Sequence, residues 1–290
     1  MTEIAITSGK GGTGKTTLSV NLAKLIASKG GFNKVIVCDL DVEEPNSGLF
    51  LKGELIYQEE QFQMIPQWDE QRCTLCKRCA NICEFNALAF IGISVLVFPE
   101  LCHSCYACSE LCPEDALPMV KHRIGELKHY KIEDRLEFIE SRIDIGVEQA
   151  VPLIAATREY ARAQADENTL LLYDSPPGTS CPVIEAVKNT NNSLLITEPT
   201  PFGLHDLSLA VETMNELKQP FGVVINRSNN YDYLIEDYCT NNKIELIGKI
   251  PFMRDAAVAY SKGELMVDSI PEIRDAIGAV ANYLSEKTAL

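Results

Sequence analysis

Residues 9–16 read Gly9-Lys10-Gly11-Gly12-Thr13-Gly14-Lys15-Thr16. The pattern is glycine, four residues, then Gly-Lys-Thr. It marks a phosphate-cradling loop when a strand precedes it and a helix follows. Both flanks fit. Glu3-Ile4-Ala5-Ile6-Thr7 is a short β-prone run, and across residues 16–28 Leu18, Leu22, Leu25 and Ile26 fall on one helical face. Glycines let successive backbone N–H groups turn toward phosphate oxygens, and the helix N-terminus adds the positive end of its dipole. The reading sets a nucleotide against Gly11, Gly12, Thr13, Gly14, Lys15, Thr16 and Thr17. Lys15 is expected to reach the β- and γ-phosphates, and the Thr16 hydroxyl to bind Mg²⁺.

Outward from the loop the chain alternates. Lys34-Val35-Ile36-Val37-Cys38-Asp39 is an apolar run ending in an acid, suited to a buried parallel strand. Later runs of that kind cover 170–174, 193–197, 221–226 and 246–250. Helical patterns cover 148–165, 206–217, 231–239 and 271–285. The rhythm predicts an α/β fold of the P-loop type, a mostly parallel sheet between helices. Residues 58–122 break it, being Cys-rich and interrupted by short turns. The expected organisation is one α/β domain made of residues 1–57 and 123–290, with a small α+β domain inserted at 58–122.

Lys10 places a second lysine in the loop, and here the sequence resembles the MinD/ParA superfamily of deviant P-loop ATPases over nearly the whole chain. The resemblance implies hydrolysis of ATP to ADP with Mg²⁺. It also implies a nucleotide-sandwich dimer, either of two copies or with a paralogue. In such a dimer Lys10 reaches the partner's phosphates and neutralises charge on the transferred group. Asp39-Leu40-Asp41 resembles the first switch, with Asp41 orienting the attacking water and Asp39 near the Mg²⁺ shell; Val42-Glu43-Glu44-Pro45-Asn46 continues it. Asp174-Ser175-Pro176-Pro177-Gly178-Thr179 resembles the second switch, with Asp174 holding Mg²⁺ through water. Asn226 and Pro251-Phe252-Met253 resemble the family's adenine pocket.

The insert holds a repeat. Cys73, Cys76, Cys79 and Cys83 recur 29 residues later as Cys102, Cys105, Cys108 and Cys112, and Ala87-Leu88 recurs as Ala116-Leu117. The spacing Cys-x₂-Cys-x₂-Cys-x₃-Cys, with Pro113 after the second set, resembles bacterial two-cluster ferredoxins. The resemblance implies two [4Fe–4S] clusters, one held by Cys73, Cys76, Cys79 and Cys112 and the other by Cys83, Cys102, Cys105 and Cys108. Zinc fits less well, because structural zinc favours two Cys pairs across a longer spacer. Glu84 stands where ferredoxins often have proline after the fourth Cys.

Eleven cysteines in 290 residues do not read as disulfides, since the N-terminus carries no secretory pattern and a cytoplasmic setting is expected. Lys and Arg number 26 against 41 Asp and Glu, a net charge of −15, which argues against nucleic-acid and anionic-membrane partners. Within 58–122 nine acidic side chains face four basic ones. Cys38 reads as a core residue and Cys239 as a helix residue without chemistry. Cys181 lies seven residues after Asp174, the offset of a cluster-ligating Cys in the nitrogenase iron protein of the same superfamily. A metal position at a dimer interface and an unliganded thiol both remain open for it. The four histidines, His103, His122, His129 and His205, form no ligand pattern.

These readings converge on a nucleotide-driven dimeric switch. It would couple ATP turnover to electron transfer or to iron–sulfur and metal-cofactor assembly, with a redox or cofactor partner protein. The alternatives are a MinD-like spatial regulator and a ferredoxin-like electron carrier with a regulatory ATPase. The C-terminal stretch, with Ile273, Ile277, Val280, Ala281 and Leu284 on one face and mixed charges opposite, predicts a packing helix and no stable membrane anchor.

Overall fold

The computed structural model describes residues 1–287. The apolar run before the glycine loop becomes β1 (Thr2–Thr7), buried at every position, and the loop opens directly into α1 (Lys15–Lys29). β2 (Lys34–Asp39) follows, then β3 (Glu54–Pro66), α2 (Arg78–Ile82), β4 (Leu88–Phe90), β5 (Val95–Val97) and α3 (Ala107–Glu110). The chain continues through β6 (Met119–Glu133), β7 (Leu136–Ile143), α4 (Val151–Ala163), β8 (Thr169–Asp174), α5 (Cys181–Val187), β9 (Asn192–Thr197) and α6 (Pro201–Glu216). It ends with β10 (Phe221–Ser228), α7 (Tyr233–Asn242), β11 (Leu246–Pro251), α8 (Arg254–Ser261), α9 (Met266–Ser269) and α10 (Pro271–Lys287).

Nine strands form one sheet in the order β11-β10-β9-β1-β8-β2-β7-β6-β3. Pairing is parallel from β11 through β7. The predicted α/β architecture is therefore present, a mostly parallel sheet between helices. Parallel strands buried on both faces read as unbroken apolar runs, which is why β2 and β8 were legible. Leu18 and Leu22 of α1 and Ile277 and Val280 of α10 are wholly buried in the core with Ile4, Ile6, Val35 and Val37. The apolar face of α10 is thus spent on packing. No helix among the described residues is long and apolar enough to cross a membrane.

Two compact units make up the chain. One comprises Met1–Gln58, Leu127–Arg142 and Ile154–Leu290; the other comprises Glu59–Glu126 with Ile143–Leu153. This differs from the expected insert bounds of 58–122. The expected boundary at 122/123 falls inside β6, a continuous strand. Residues 143–153 join the Cys-rich unit because Asp144 N–H donates to Ile124 O at 2.9 Å and Gln149 Nε2 donates to Glu100 O at 2.9 Å. β6 and β7 escaped the sequence reading altogether. The two residues between them, Asp134 and Arg135, carry no Asn-Gly or Asp-Gly hairpin signal, and β6 is studded with charge.

Candidate functional site

Parallel register decides the geometry of the first site. Asp39 at the end of β2 and Asp174 at the end of β8 are partners in adjacent strands, and Ile6 of β1 is in turn the partner of Asp174. Two acids far apart in sequence are thereby set side by side at the carboxyl edge of the sheet, beside the glycine loop that leaves β1. That edge is where open α/β sheets hold their ligands. Gly178 N–H donates to Ser8 O at 3.1 Å, fastening the loop after β8 to the start of the glycine loop.

A cleft of about 450 Å³ opens there. Gly11, Gly12, Gly14, Lys15, Thr16, Thr17, Asp41, Asn226, Pro251, Phe252 and Met253 all line it, so the structure gathers the phosphate loop and the expected adenine residues around one cleft. Asn226 Nδ2 donates to Thr13 O at 2.7 Å. Gly14 has φ 100°, and a Cβ there would stand 2.2 Å from Asn226 Nδ2, so only glycine fits. A Cβ on Gly9 would strike the carbonyl oxygen of Asp206 at 2.1 Å.

Lys15 is buried, with Nζ 3.2 Å from Ser8 Oγ. Burial pushes its pKa down, while Asp174, Asp41 and Asp39 pull it up; burial prevails. Asp41 lines the cleft, and burial raises its carboxyl to about 6 against the opposing charge of Lys15. Asp39 is fully buried and turned onto its own loop: it accepts from the N–H groups of Asp41 at 3.1 Å, Asn46 at 2.9 Å and Ser47 at 2.9 Å. Burial, with Asp174 alongside, pushes the Asp39 carboxyl well above the usual carboxylate range. Burial raises Asp174 too, against the Thr16 hydroxyl and the Lys15 charge.

Lys10, Thr13, Asp39 and Asp174 are not among the cleft's lining residues. Lys10 instead lies 3.8 Å from Asp206 on α6. The sequence reading missed Ser47, Asp206 and Ser8. Ser47 is the most telling, since its Oγ donates to Asp174 Oδ2 at 3.1 Å while its N–H holds Asp39. Nothing in the sequence marks it beyond a small polar residue in the loop after the first acid pair.

Buried polar atoms at this edge without a hydrogen-bond partner include Asp174 Oδ1, Asn46 Oδ1 and Thr13 Oγ1, with Thr7 Oγ1 and Ser175 Oγ at the adjoining strand ends. Buried oxygen acceptors left over beside a threonine and a lysine are the donor set of a hard cation with a phosphate ligand, so the residues fit Mg²⁺ and a nucleotide.

The second unit presents two smaller cavities. Cys73, Cys76, Cys79 and Cys112 line one, and Cys83, Cys102, Cys105 and Cys108 line the other. Each gathers three thiols from one repeat and the fourth from the other. The interlock has a visible cause. Asp69 N–H of the first copy donates to Ala116 O of the second, and Phe98 N–H, 29 residues after Asp69, donates to Ala87 O of the first, 29 before Ala116. The copies are exchanged across a pseudo-two-fold, and each carries its fourth cysteine into the other's cavity.

The backbone repeats as closely. Leu75, Lys77 and Asn86 have φ of 57°, 65° and 54°; Ser104, Tyr106 and Asp115 have 51°, 63° and 48°. Left-handed conformations are costly away from glycine, and they bend the chain around each cavity. Ala87 N–H points to Cys83 Sγ at 3.3 Å, and Ala116 N–H to Cys112 Sγ at 3.3 Å. Burial pushes the thiols of Cys79, Cys102 and Cys108 up, Cys108 to about 11. Among the described residues, no three or more His, Cys, Asp or Glu side chains converge as a group able to hold a single metal ion. A four-iron cube spreads its thiolates over a cavity, whereas one ion draws them to a point, so four-cysteine cavities with N–H donors at sulfur fit the cube. Cys181 is exposed at the N-terminus of α5, while Cys38 and Cys239 are buried.

Residues 4–266 match the CobQ/CobB/MinD/ParA nucleotide-binding domain family. An uncharacterized protein of Methanocaldococcus jannaschii is 30 % identical over 283 residues, covering 97 % of each chain. An iron–sulfur cluster carrier protein of Pyrococcus abyssi is 25 % identical over 255 residues, covering 85 % of this chain and 67 % of its own length. Among solved structures, the septum site-determining protein MinD of Pyrococcus horikoshii, in complex with Mg-ADP, aligns with a TM-score of 0.61 at 17 % identity over 100 % of this chain and 99 % of that one.

Proposed function

The chain belongs to the CobQ/CobB/MinD/ParA nucleotide-binding family, and from that premise we propose that it is a Mg²⁺-dependent ATPase switch carrying two resident [4Fe–4S] clusters. One observation carries the proposal. A family nucleotide cleft and two four-cysteine cavities occur in one chain, and each cavity draws its fourth thiol from the other repeat. Eight cysteines grouped in this way, four to a cavity, suit clusters that stay and pass electrons.

In this reading the glycine loop and the N-terminus of α1 bind the phosphates, and Lys15 bridges the β- and γ-phosphoryl oxygens. Thr16 and Asp174 would hold Mg²⁺, which would supply charge neutralisation at the phosphoryl oxygens. Asp39 serves mainly to shape the loop, since its oxygens are committed to three backbone N–H groups. Asp41 accepts a hydrogen bond from the attacking water and aligns it with the γ-phosphorus. The bond to the β–γ bridging oxygen then breaks and ADP leaves. Phe252, two-thirds exposed at the cleft mouth, offers its ring to the adenine, with Asn226, Pro251 and Met253 beside it. Lys10 leaves Asp206 to reach the nucleotide of a second subunit, identical or paralogous.

A second reading rests on the relatives named iron–sulfur cluster carrier proteins: nucleotide turnover would drive assembly or delivery of a metal cofactor. Cys181, exposed at α5, is then the position for a centre shared across the dimer. Cys181→Ala with iron content, ATPase rate and partner activity all unchanged removes that role. Positioning of cell-division machinery is the weaker alternative, because likeness to MinD at 17 % identity speaks for the fold alone and α10 is packed into the core.

The test is anaerobic purification of the full chain, followed by iron analysis and phosphate-release assay. Bound iron near eight per chain, about four per cage, with Mg²⁺-dependent ATP turnover supports the proposal. Stoichiometric zinc in place of iron, or iron without nucleotide binding, overturns it.

A further inference from the structure

The two cysteine cavities have the same backbone and different linings. The first is lined by three charged side chains, Lys77, Arg78 and Glu114. Twenty-nine residues away, at the matching positions of the second, stand Tyr106, Ala107 and Phe85, and no residue lining that cavity is Lys, Arg, Asp or Glu. Trp68 also lines the first cavity, and its buried Nε1–H has no hydrogen-bond partner; its counterpart in the other copy is Val97. Burial differs as well. Cys102 and Cys108 of the second set are buried, whereas none of Cys73, Cys76, Cys79 and Cys112 is.

Four factors set the potential of an iron–sulfur site: cluster type, net charge, hydrogen bonds to sulfur, and exposure. The ligand set is four cysteines in both. The N–H contact at the fourth sulfur matches, since Ala87 N–H to Cys83 Sγ and Ala116 N–H to Cys112 Sγ are both 3.3 Å, and the first site has one more, Leu75 N–H to Cys73 Sγ at 3.4 Å. Hydrogen bonding, charge and exposure therefore act in the same direction. Each site gains one negative charge on reduction. At the first site two cations against one carboxylate, an unpaired N–H donor and nearby water favour that charge. At the second, walls that are apolar apart from His103 and Tyr106, with Cys102 and Cys108 buried although Cys105 is exposed, oppose it.

Resting on the two-cluster reading above, we infer that the sites are inequivalent. The site held by Cys73, Cys76, Cys79 and Cys112 is reduced first, and Lys77 and Arg78 set that order. A low-potential one-electron donor gives up one electron, becoming oxidised by one, and the electron settles at the first site; a second equivalent is required for the other. No proton is exchanged. The cation-rimmed site is then the one that holds and exchanges the electron with a partner.

The experiment is a dithionite titration of the anaerobically reconstituted full chain, followed by electron paramagnetic resonance at set potentials. Two separated one-electron steps are expected. Cys76→Ser should alter the upper step and assign it. The double variant Lys77→Gln, Arg78→Gln should move the upper step down and leave the lower in place, while Tyr106→Lys should move the lower step up. Raising salt should narrow the gap, because Lys77 and Arg78 are exposed. Both sites titrating together at one potential, or a double variant that moves neither step, overturns the inference while leaving the two-cluster reading intact. A chain that binds no iron overturns both.

Discussion

Ser47 Oγ donates a hydrogen bond to Asp174 Oδ2 across 3.1 Å, while Ser47 N–H donates to Asp39 Oδ2 across 2.9 Å. One residue thus ties the loop after β2 to both strand-end acids. In the proposed switch, a change in what Asp174 holds reaches that loop directly through Ser47. Ser47→Ala is expected to lower Mg²⁺-dependent turnover about ten-fold, near 1.4 kcal/mol, a loss typical of a hydrogen bond to a charged group. Nucleotide affinity in the absence of Mg²⁺ should be little changed. Phosphate release and fluorescent-nucleotide titration check the two halves separately.

Lys15 and Asp41 line the same cleft but should fail differently. Lys15→Ala removes the cation facing the phosphates, and nucleotide affinity should fall about 100-fold, ~2.7 kcal/mol. Asp41→Asn keeps size and hydrogen bonding while removing the charge that orients water. Binding should hold within a few-fold, and turnover should drop about 10²-fold. Equal loss of affinity in both variants would contradict the assigned roles.

Lys10 and Asp206 form a partly exposed pair at 3.8 Å. The proposed dimer must break that pair to free the lysine. Asp206→Asn should therefore raise the dimerisation constant with ATP, by no more than about five-fold for each pair broken, because such pairs contribute roughly 1 kcal/mol at most. Lys10→Ala should abolish the ATP-dependent dimer. Sedimentation with and without nucleotide reads both.

Much of this was legible in the sequence, and what was not had a physical reason. Apolar runs buried on both faces announced β2 and β8, so the pairing of Asp39 with Asp174 followed once the strands were parallel. The resemblance to two-cluster ferredoxins implied which four cysteines belong together, and those two sets line the two cavities. Ser47 and Asp206 carried no signal, because the side-chain contacts that single them out, to Asp174 and to Lys10, are made across more than a hundred residues. The β6–β7 hairpin was hidden by charge on its exposed positions and by a turn without glycine. The contrast between Lys77 with Arg78 and Tyr106 with Ala107 was present in the letters, but it acquired meaning only when the cavities showed those residues at the same places.

A buried ion network links β1 to α4 and α5. Glu3, 6 % exposed, meets Arg158 at 3.2 Å and Arg162 at 2.7 Å, and Tyr173 Oη donates to it at 3.0 Å. Arg158, 1 % exposed, also donates to the carbonyls of Glu185 and Lys188 at the end of α5. Burial pushes the Glu3 carboxyl up, but Arg162, Tyr173 and Arg158 outweigh it and hold it below the usual value. A depressed folded pKa stabilises above the unfolded value and is lost as pH falls through the folded one. Glu3→Gln should therefore cost about 3–5 kcal/mol at pH 7 by stranding Arg158. The difference from wild type should shrink below about pH 4.5, where the unfolded carboxyl begins to hold its proton. Urea denaturation from pH 7 to pH 3 tests both the size and the direction.

The proposed switch couples nucleotide state to the state of the cysteine cages. The most direct measurement is the rate of cage reoxidation by a one-electron acceptor, taken on the anaerobically loaded chain with no nucleotide, with Mg-ADP and with a non-hydrolysable ATP analogue. Coupling predicts a rate or potential that differs between the ADP and ATP-analogue states, with the difference abolished by Lys15→Ala. Identical rates and potentials in all three states, at saturating nucleotide, would contradict the account.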